Sequence, residues 1–402
     1  MLNLGFIGVG GYGRHQLEGF LRLQESGRFR ITALADPSPR ALAEAAALPG
    51  LHRPAMYEDF RRMLDEAELD AVVVSAPIPA HKEITLCALR KDLFVLLEKP
   101  PVPLFSDLAD LISADCRGRV MVGFQHIYRP LVQRMKEAVW SGEIGQPLSI
   151  AAYGLWPRNT EYYERSPWAG TLMREGRVTL DGPCTNAMAH FLNSLFFVAG
   201  EESYAQPERL EGEVYRVRPI ESYDVGAMHG VLDNGLKFSA AFAHASVELQ
   251  PVRLVVRGTE GEIELLENGN RLRAARGEVF TDDDGREAMR QAFLNFVEGE
   301  RARNLTGLAA CEAYVLSTNM MFQSSGGIHS VGPEYALSHE PGSPHGTYSL
   351  PGLEQLFETS ASRLESLAKA GAPWAITPNQ LTRAEFDEQE MLGLLLDQEV
   401  PV

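Results

Sequence analysis

Near the N-terminus, Gly8-Val9-Gly10-Gly11-Tyr12-Gly13 places glycines where a phosphate-binding turn needs them. Gly8 permits the tight turn, Gly10 lets backbone approach a pyrophosphate, and Gly13 lets a following helix pack close to its strand. A helix starting there directs unpaired N–H groups at the anion. Asp36 lies 23 residues beyond Gly13, close to the ~20-residue offset at which an acidic side chain meets an adenine ribose. Its carboxylate can accept from both ribose hydroxyls and repels a 2′-phosphate, which favours NAD over NADP. Arg40, turned toward such a phosphate, would offset the repulsion and leaves NADP open.

These residues need a strand, a turn and a helix to hold them. Leu2 to Ile7 is an apolar run ending in glycine, and Leu17, Phe20 and Leu21 recur at i, i+3 and i+4 as a helix face does. Phe29 to Ala35, Ala71 to Val74 and Phe94 to Leu97 are further short apolar runs of the kind buried parallel strands show. Helical stretches are expected near Arg40 to Leu48, Tyr57 to Asp65 and His81 to Arg90. This alternation predicts a doubly wound parallel α/β sheet, a Rossmann domain over residues 1–125.

A chain of 402 residues has room for a second core. Acidic residues number 54 against 37 basic ones, and no Lys or Arg run forms a footprint for phosphate backbones, so nucleic acid is not an expected partner. Met1 to Val9 reads as a buried strand rather than a leader, and no apolar run approaches the ~20 residues that cross a bilayer. The expectation is a cytoplasmic protein without a membrane partner. Cys87, Cys116, Cys184 and Cys311 are widely spaced with no C-x-x-C pair, so no metal site or disulfide framework is expected and most should be core residues.

Leu96-Leu97-Glu98-Lys99-Pro100 adds a motif that resembles the Gfo/Idh/MocA family of NAD(P)-dependent sugar and cyclitol oxidoreductases. Other landmarks agree in order. Ala76-Pro77 and His81 follow the fourth strand, Val122-Gly123-Phe124 resembles the sixth, and Arg129-Pro130 with Ser141-Gly142-Glu143-Ile144-Gly145 resembles the entry to a second domain. Gly258-Thr259-Glu260-Gly261 resembles a recurrent turn of that domain's sheet. The resemblance covers roughly residues 2–330. It implies that Gly8, Gly10, Gly11, Tyr12, Gly13 and Asp36 hold the cofactor, joined by Ser75, Pro77, His81, Glu98 and Lys99. It also implies a cis Lys99-Pro100 bond.

A residue at the C-terminal end of a parallel strand faces the ligand crevice, which suits Lys99 to a place beside a nicotinamide ring. Its ammonium can hydrogen-bond the reacting oxygen and lower the alcohol's pKa. In the second domain, Asn186, His190 and Asn193 match the family's Asp-x-x-x-His stretch and the Asp that follows it. On one helix they fall at i, i+4 and i+7 and can share a face. His190 is the natural proton carrier, with Lys99 and Asn186 completing the catalytic set. Asn186 departs from the family's carboxylate: it cannot accept a proton, though it can orient a sugar hydroxyl. Asp181 is near in sequence, but its spacing does not match the missing carboxylate.

Arg158, Tyr162, Tyr163 and Trp168 read as a substrate loop, since aromatic faces and hydrogen-bond donors suit carbohydrates. Arg158, Tyr163, Trp168, Asn186 and Asn193 are the expected substrate contacts. The second domain, 126–330, is expected to be α+β, like the C-terminal domain of glyceraldehyde-3-phosphate dehydrogenase. Its mainly antiparallel open sheet should form a meander from Leu210 to Leu272, with turns at Asp233-Asn234-Gly235 and Glu267-Asn268-Gly269. Helices should follow near Glu287 to Glu298 and Leu308 to Phe322. In the family the free face of this sheet packs on a second subunit, which implies a homo-oligomer, dimer or tetramer. Residues 331–402 form an extension, with a linker from Gly332 to Pro351 and a helical pattern from Leu353 to Ala370, expected to pack on the body or on a neighbouring subunit.

The expected activity is NAD(P)-dependent hydride transfer at a hydroxyl of a sugar, cyclitol or related polyol. Two alternatives share the fold: an NAD-dependent glycosidase using transient oxidation and elimination, and a nonenzymatic NAD(P)-binding regulator.

Overall fold

The computed structural model describes residues 1–266, 271–274, 277–281, 283–300 and 304–396. The expected turn at Glu267-Asn268-Gly269 lies outside them. The chain divides into two compact units, one of Met1–Tyr128 with Asp284–Cys311 and one of Arg129–Asp283 with Glu312–Val402. The second domain was expected to include residues 284–311; of these, residues 284–300 and 304–311 pack with the first unit.

The first unit is a six-stranded parallel sheet in the order β3-β2-β1-β4-β5-β6. Its elements are β1 (Leu2–Ile7), α1 (Gly11–Leu23), β2 (Phe29–Ala35), α2 (Pro39–Ala46), β3 (Ala55–Tyr57), α3 (Phe60–Glu66), β4 (Ala71–Val74), α4 (His81–Arg90), β5 (Phe94–Leu97), α5 (Phe105–Ala114) and β6 (Val120–Val122). The expected helix from Tyr57 is shorter. Ala55–Tyr57 pairs with β2 as a strand, and Asp59 caps α3 by accepting the Arg61 N–H at 2.8 Å. Ser38 caps α2 in the same way, ahead of Pro39. The strands β4, β5 and β6 are buried on both faces, so their continuous apolar runs leave no polar alternation to place, whereas β3 at the edge is largely exposed. One face is closed by the returning helix Arg286–Val297: the Phe20 ring sits 5.5 Å from Phe6 and 6.4 Å from Phe293, edge to face.

The second unit opens with α6 (Pro130–Trp140), β7 (Pro147–Leu155), α7 (Thr160–Glu164), the short hairpin β8 (Met173–Arg174) and β9 (Arg177–Val178), and α8 (Ala189–Ala199). The strands β10 (Pro207–Arg216), β11 (Val225–Leu232), β12 (Lys237–Ala243), β13 (Gln250–Gly258), β14 (Glu262–Leu266), β15 (Arg271–Ala274) and β16 (Gly277–Phe280) follow. They do not make a simple meander. β7 lies between β12 and β13, parallel to the first and antiparallel to the second. The helix Arg286–Val297 is α9, after which α10 (Glu312–Ser325) and β17 (His329–Ser330) complete this core, with β17 parallel to β10 at the sheet edge.

Period-2 alternation gives the sheet two apolar faces. Phe238 and Phe242 of β12 meet Phe196 and Phe191 of α8. Ala241 and Ala243, with Leu155 of β7, face the other way and are covered by Leu350, Leu353, Phe357 and Leu367. The covering residues belong to the C-terminal extension, which holds the hairpin β18 (Leu337–His339) and β19 (Thr347–Ser349), α11 (Leu353–Arg363), α12 (Leu367–Ala370), β20 (Gln380–Thr382) and α13 (Glu388–Leu396). The expected linker therefore contains a hairpin, and the expected helix from Leu353 breaks at Leu364, where φ is +56°. Trp374 packs edge to face on Tyr215, 4.9 Å between ring centroids. The extension thus packs on its own chain. Among the cysteines, Cys184 and Cys311 are buried, Cys87 is half-buried and Cys116 is exposed, so only two are core residues. No helix among the described residues is long and apolar enough to cross a membrane.

Candidate functional site

In the first unit the glycine loop has the build of an anion cradle. Gly8 adopts φ +81°, and a Cβ there would sit 2.7 Å from the Ala76 nitrogen. A Cβ on Gly13 would fall 1.9 Å from the Gly8 carbonyl oxygen, so only glycine lets α1 pack this close. Gly11 faces open space, a Cβ on Gly10 would meet Ala41 at an ordinary 3.6 Å, and the first turn of α1 carries neither a capping side chain nor an acidic residue. The N–H groups there are suited to a pyrophosphate. Tyr12 lies half-exposed in the same turn.

Asp36 ends β2 and closes on this loop. Its Oδ2 accepts the Val9 N–H at 2.9 Å and the Gly10 N–H at 3.3 Å, while Oδ1 accepts the Ser38 N–H at 2.9 Å. These bonds fix the carboxylate beside the cradle, where a 2′-phosphate would be repelled. Arg40 is engaged elsewhere, donating to Glu44 at 2.7 Å from an exposed position. These residues fit a dinucleotide, with the charge pattern of NAD.

Lys99 stands half-exposed just past β5, and the Lys99-Pro100 peptide is cis. The residues around it are anchored. Glu98 is buried; it takes the Lys99 N–H at 3.2 Å and the Gln16 side-chain amide, and Gln16 takes the Arg290 guanidinium at 3.0 Å. Burial raises the Glu98 pKa against the pull of Gln16 and Lys99. His81 is also buried, with Nε2 2.8 Å from the Ala76 carbonyl and Nδ1 3.0 Å from the Pro100 carbonyl. Glu98 and His81 therefore hold the backbone around Lys99. Gln16 and Arg290 were missed in the sequence: Arg290 lies 274 positions from Gln16, and nothing local marks it. Ser75 and Pro77 follow β4, the Ser75 hydroxyl buried and without a partner among the described residues.

In the second unit the expected continuous helix face is interrupted. Pro183–Ala187 forms a wide turn of the π type, Met188 leaves helical geometry (φ −108°, ψ 19°), and α8 starts at Ala189. Asn186 therefore lies on the turn, and only His190 and Asn193 share the helix. Wide turns of this kind are common at functional sites. The Tyr223 hydroxyl accepts the Cys184 and Thr185 N–H groups at 3.1 Å each, and the Tyr314 hydroxyl donates to the Thr185 carbonyl at 2.8 Å. Burial pushes the Cys184 thiol up to about 12, which leaves it a packing residue.

Asn186 donates its Nδ2 to Asp181 Oδ1 at 2.7 Å, so the carboxylate that sequence spacing set aside touches the residue it was to replace. Asp181 also takes the Gly170 N–H at 2.7 Å and lies 3.9 Å from Arg165. Arg165 covers the Tyr162 ring at 3.6 Å and the Trp168 ring at 5.0 Å, and Arg158 covers Tyr162 at 4.5 Å. Arg158 also approaches Trp156, 5.6 Å from its ring, and Trp156 packs on Phe191, the neighbour of His190. Thus Asn186, Arg158, Tyr162, Trp168 and the start of α8 belong to one connected cluster. His190 and Asn193 are largely buried, and both polar atoms of the Asn193 amide lack partners among the described residues. His244 and Trp156 were missed; their one sequence signal is a position just past an apolar strand.

Residues 2–126 match a family model described as an oxidoreductase family with an NAD-binding Rossmann fold, and residues 132–264 match the Gfo/Idh/MocA C-terminal domain. The chain belongs to the Gfo/Idh/MocA family. Its N-terminal unit is an NAD-binding Rossmann domain. The inositol 2-dehydrogenase of Streptomyces avermitilis is 35% identical over 124 residues, 30% of this chain and 36% of that protein. That of Rubrobacter xylanophilus is 28% identical over 202 residues, 50% of this chain and 52% of that protein. The chain thus spans about a third to a half of these relatives. The WlbA dehydrogenase of Bordetella pertussis, solved with NADH and UDP-GlcNAcA, superposes with a TM-score of 0.69 at 20% identity over 81% of this chain and 96% of its own. The scyllo-inositol dehydrogenase of Lactobacillus casei, solved with NAD(H) and scyllo-inositol, gives 0.62 at 17% identity over 81% and 96%. At such identities the likeness is one of fold.

Proposed function

We propose that this Gfo/Idh/MocA protein is an NAD-dependent oxidoreductase acting on a hydroxyl of a sugar, cyclitol or related polyol. The observation that carries this is Lys99, half-exposed at the C-terminal end of β5 in an NAD-binding domain, with the backbone around it held by Glu98 and His81. The dehydrogenases among its relatives support the same chemistry.

NAD, when bound, supplies the hydride acceptor. The glycine loop and the N-terminus of α1 hold the pyrophosphate, and Asp36 holds the adenine ribose. The Lys99 ammonium hydrogen-bonds the substrate oxygen and stabilises its negative charge as the hydroxyl proton leaves. His190 takes that proton, and Asn186 orients a substrate hydroxyl. Arg158, Tyr163, Trp168 and Asn193 contribute substrate contacts. The glycosidase and regulator alternatives find no support among the relatives, which are dehydrogenases. The test is NADH accumulation, followed at its absorbance, with a panel of inositols, hexoses and their acids. Net NADH formation on at least one is expected; the proposal fails if none is oxidised by a preparation that binds NAD.

A further inference from the structure

Three strand ends of the second unit bring polar residues to one edge of its sheet. β7 and β12 are parallel neighbours, and β10 runs the same way because both it and β12 are antiparallel to β11. Trp156 and Arg158 follow β7, His244 follows β12, and Arg218 follows β10. Their proximity is direct: Arg218 Nη2 donates to the Arg158 carbonyl at 3.4 Å, and His244 Nδ1 lies 2.7 Å from the Trp156 carbonyl.

A carbonyl only accepts, so His244 Nδ1 carries the proton and Nε2 presents a lone pair. That nitrogen is buried and has no hydrogen-bond partner among the described residues. Burial, with Arg158 and Arg165 nearby, pushes the His244 pKa down to about 3 and keeps the ring neutral. Unused donors lie in the same cluster, where the Tyr162 ring sits 5.8 Å from that of His244 and 5.2 Å from that of Tyr163. Arg158 Nε, Trp156 Nε1 and the Tyr163 hydroxyl are each buried without a partner among the described residues. Arg158 contacts the Pro157 carbonyl at 3.4 Å and the Tyr162 hydroxyl, and no carboxylate among the described residues pairs with it.

The buried carboxylates here are engaged. Asp181 takes Gly170 and Asn186, and Asp224 takes the backbone N–H groups of Val217 and Arg218 at 2.8 and 2.9 Å. Arg158 is therefore left without a carboxylate partner among the described residues. Unmatched donors on a guanidinium and an indole call for an acceptor, and a guanidinium without a carboxylate partner calls for an anionic one.

We infer that Trp156, Arg158, Tyr163 and His244 bind an anionic oxygen group, a carboxylate or a phosphate monoester, carried beside a hydroxyl on the substrate. The donors take the anion and His244 Nε2 accepts the hydroxyl. This rests on the hydride-transfer proposal and narrows its polyol to a sugar acid or sugar phosphate.

The test compares neutral hexoses of gluco, galacto and manno configuration with their hexonates, hexuronates and 6-phosphates, by NADH formation and by calorimetric titration of the NAD-loaded protein. An anionic member should exceed its neutral parent in kcat/KM by roughly tenfold or more, and the acid and phosphate arms identify the group. Arg158→Ala should lower kcat/KM for the anion at least roughly tenfold more than for the parent, and Trp156→Phe, which removes the N–H donor together with part of the ring, by a smaller factor. Circular dichroism and NAD affinity report on folding of each variant. Equal use of neutral and anionic members, or an equal loss on both in Arg158→Ala, overturns the inference. So does failure of every anion both to turn over and to bind saturably. Saturable anion binding weakened by Arg158→Ala, without turnover of any member, upholds the anion site and overturns the hydride-transfer proposal instead.

Discussion

Asn186 and Asp181 share a hydrogen bond of 2.7 Å, amide to carboxylate, and that bond decides which way the Asn186 side chain faces. A carboxylate only accepts, so the amide nitrogen must point at Asp181 and the amide oxygen must point away. Asn186 thus presents an acceptor oxygen, which is what a carboxylate at that position would present to a substrate hydroxyl.

Asp181→Asn removes this orientation while keeping the shape. We expect kcat/KM to fall by about one to two orders of magnitude, the range of a lost charge-assisted hydrogen bond. Asn186→Asp alone sets two carboxylates in contact, which raises the pKa of the pair; below it the shared proton supplies the donor that the amide had, so activity should be kept at lower pH and fall as pH rises. The double variant Asp181→Asn with Asn186→Asp restores one donor and one acceptor. Steady-state kinetics across pH separates the cases, and additive losses in the double variant would sink the pairing.

Lys99→Ala should reduce kcat by about two to four orders of magnitude, the usual span for a positioned acid–base group, with NAD affinity changed only a few-fold. Turnover and a fluorescence titration of NAD measure the two quantities. Full turnover on a confirmed substrate would remove Lys99 from the chemistry.

Asp36→Ala should narrow the preference for NAD over NADP, because the charge opposing a 2′-phosphate is gone. It should also destabilise the first unit by about 1–3 kcal/mol, since the Val9, Gly10 and Ser38 N–H groups lose their acceptor. Cofactor affinities and thermal melts test both. An unchanged cofactor ratio would contradict the place given to Asp36.

Glu213 links β10 to the C-terminal extension, accepting the Tyr215 hydroxyl at 2.6 Å and the Leu367 N–H at 2.8 Å. Burial pushes its carboxyl up to about 7 from an ordinary 4.5. Between those values the folded chain holds a proton that the unfolded chain has released, so stability falls as pH rises. The shift corresponds to a loss of about 3 kcal/mol, fully developed above neutrality. Glu213→Gln removes the titration. Its melting temperature relative to the parent should rise steadily from pH 5 to pH 8; a constant difference would show that Glu213 does not carry this dependence.

The glycine loop, Asp36, most of the alternation of strands and helices in the first unit, and Glu98-Lys99-Pro100 were legible because each is a local pattern. Gly13 must be glycine for its own backbone to pass Gly8, and Asp36 ends a strand whose apolar run is visible by itself. The insertion of β7 between β12 and β13 was not legible, because an apolar strand does not state its neighbour. Nor was the break at Met188, where the polar face expected to run unbroken from Asn186 to Asn193 is interrupted by a wide turn that Tyr223 and Tyr314 hold from elsewhere in the chain.

By itself, then, the sequence determined that a dinucleotide has a cradle and that a lysine stands at the end of the fifth strand, since both follow from steric and covalent spacing over a few residues. Only the tertiary structure decided that Asp181 orients Asn186, that Gln16 joins Glu98 to Arg290, and that His244 presents a bare nitrogen beside Arg158. Those are hydrogen bonds and charges whose partners meet only when distant segments pack. Their strength comes from burial, and burial belongs to the fold rather than to any short stretch of chain.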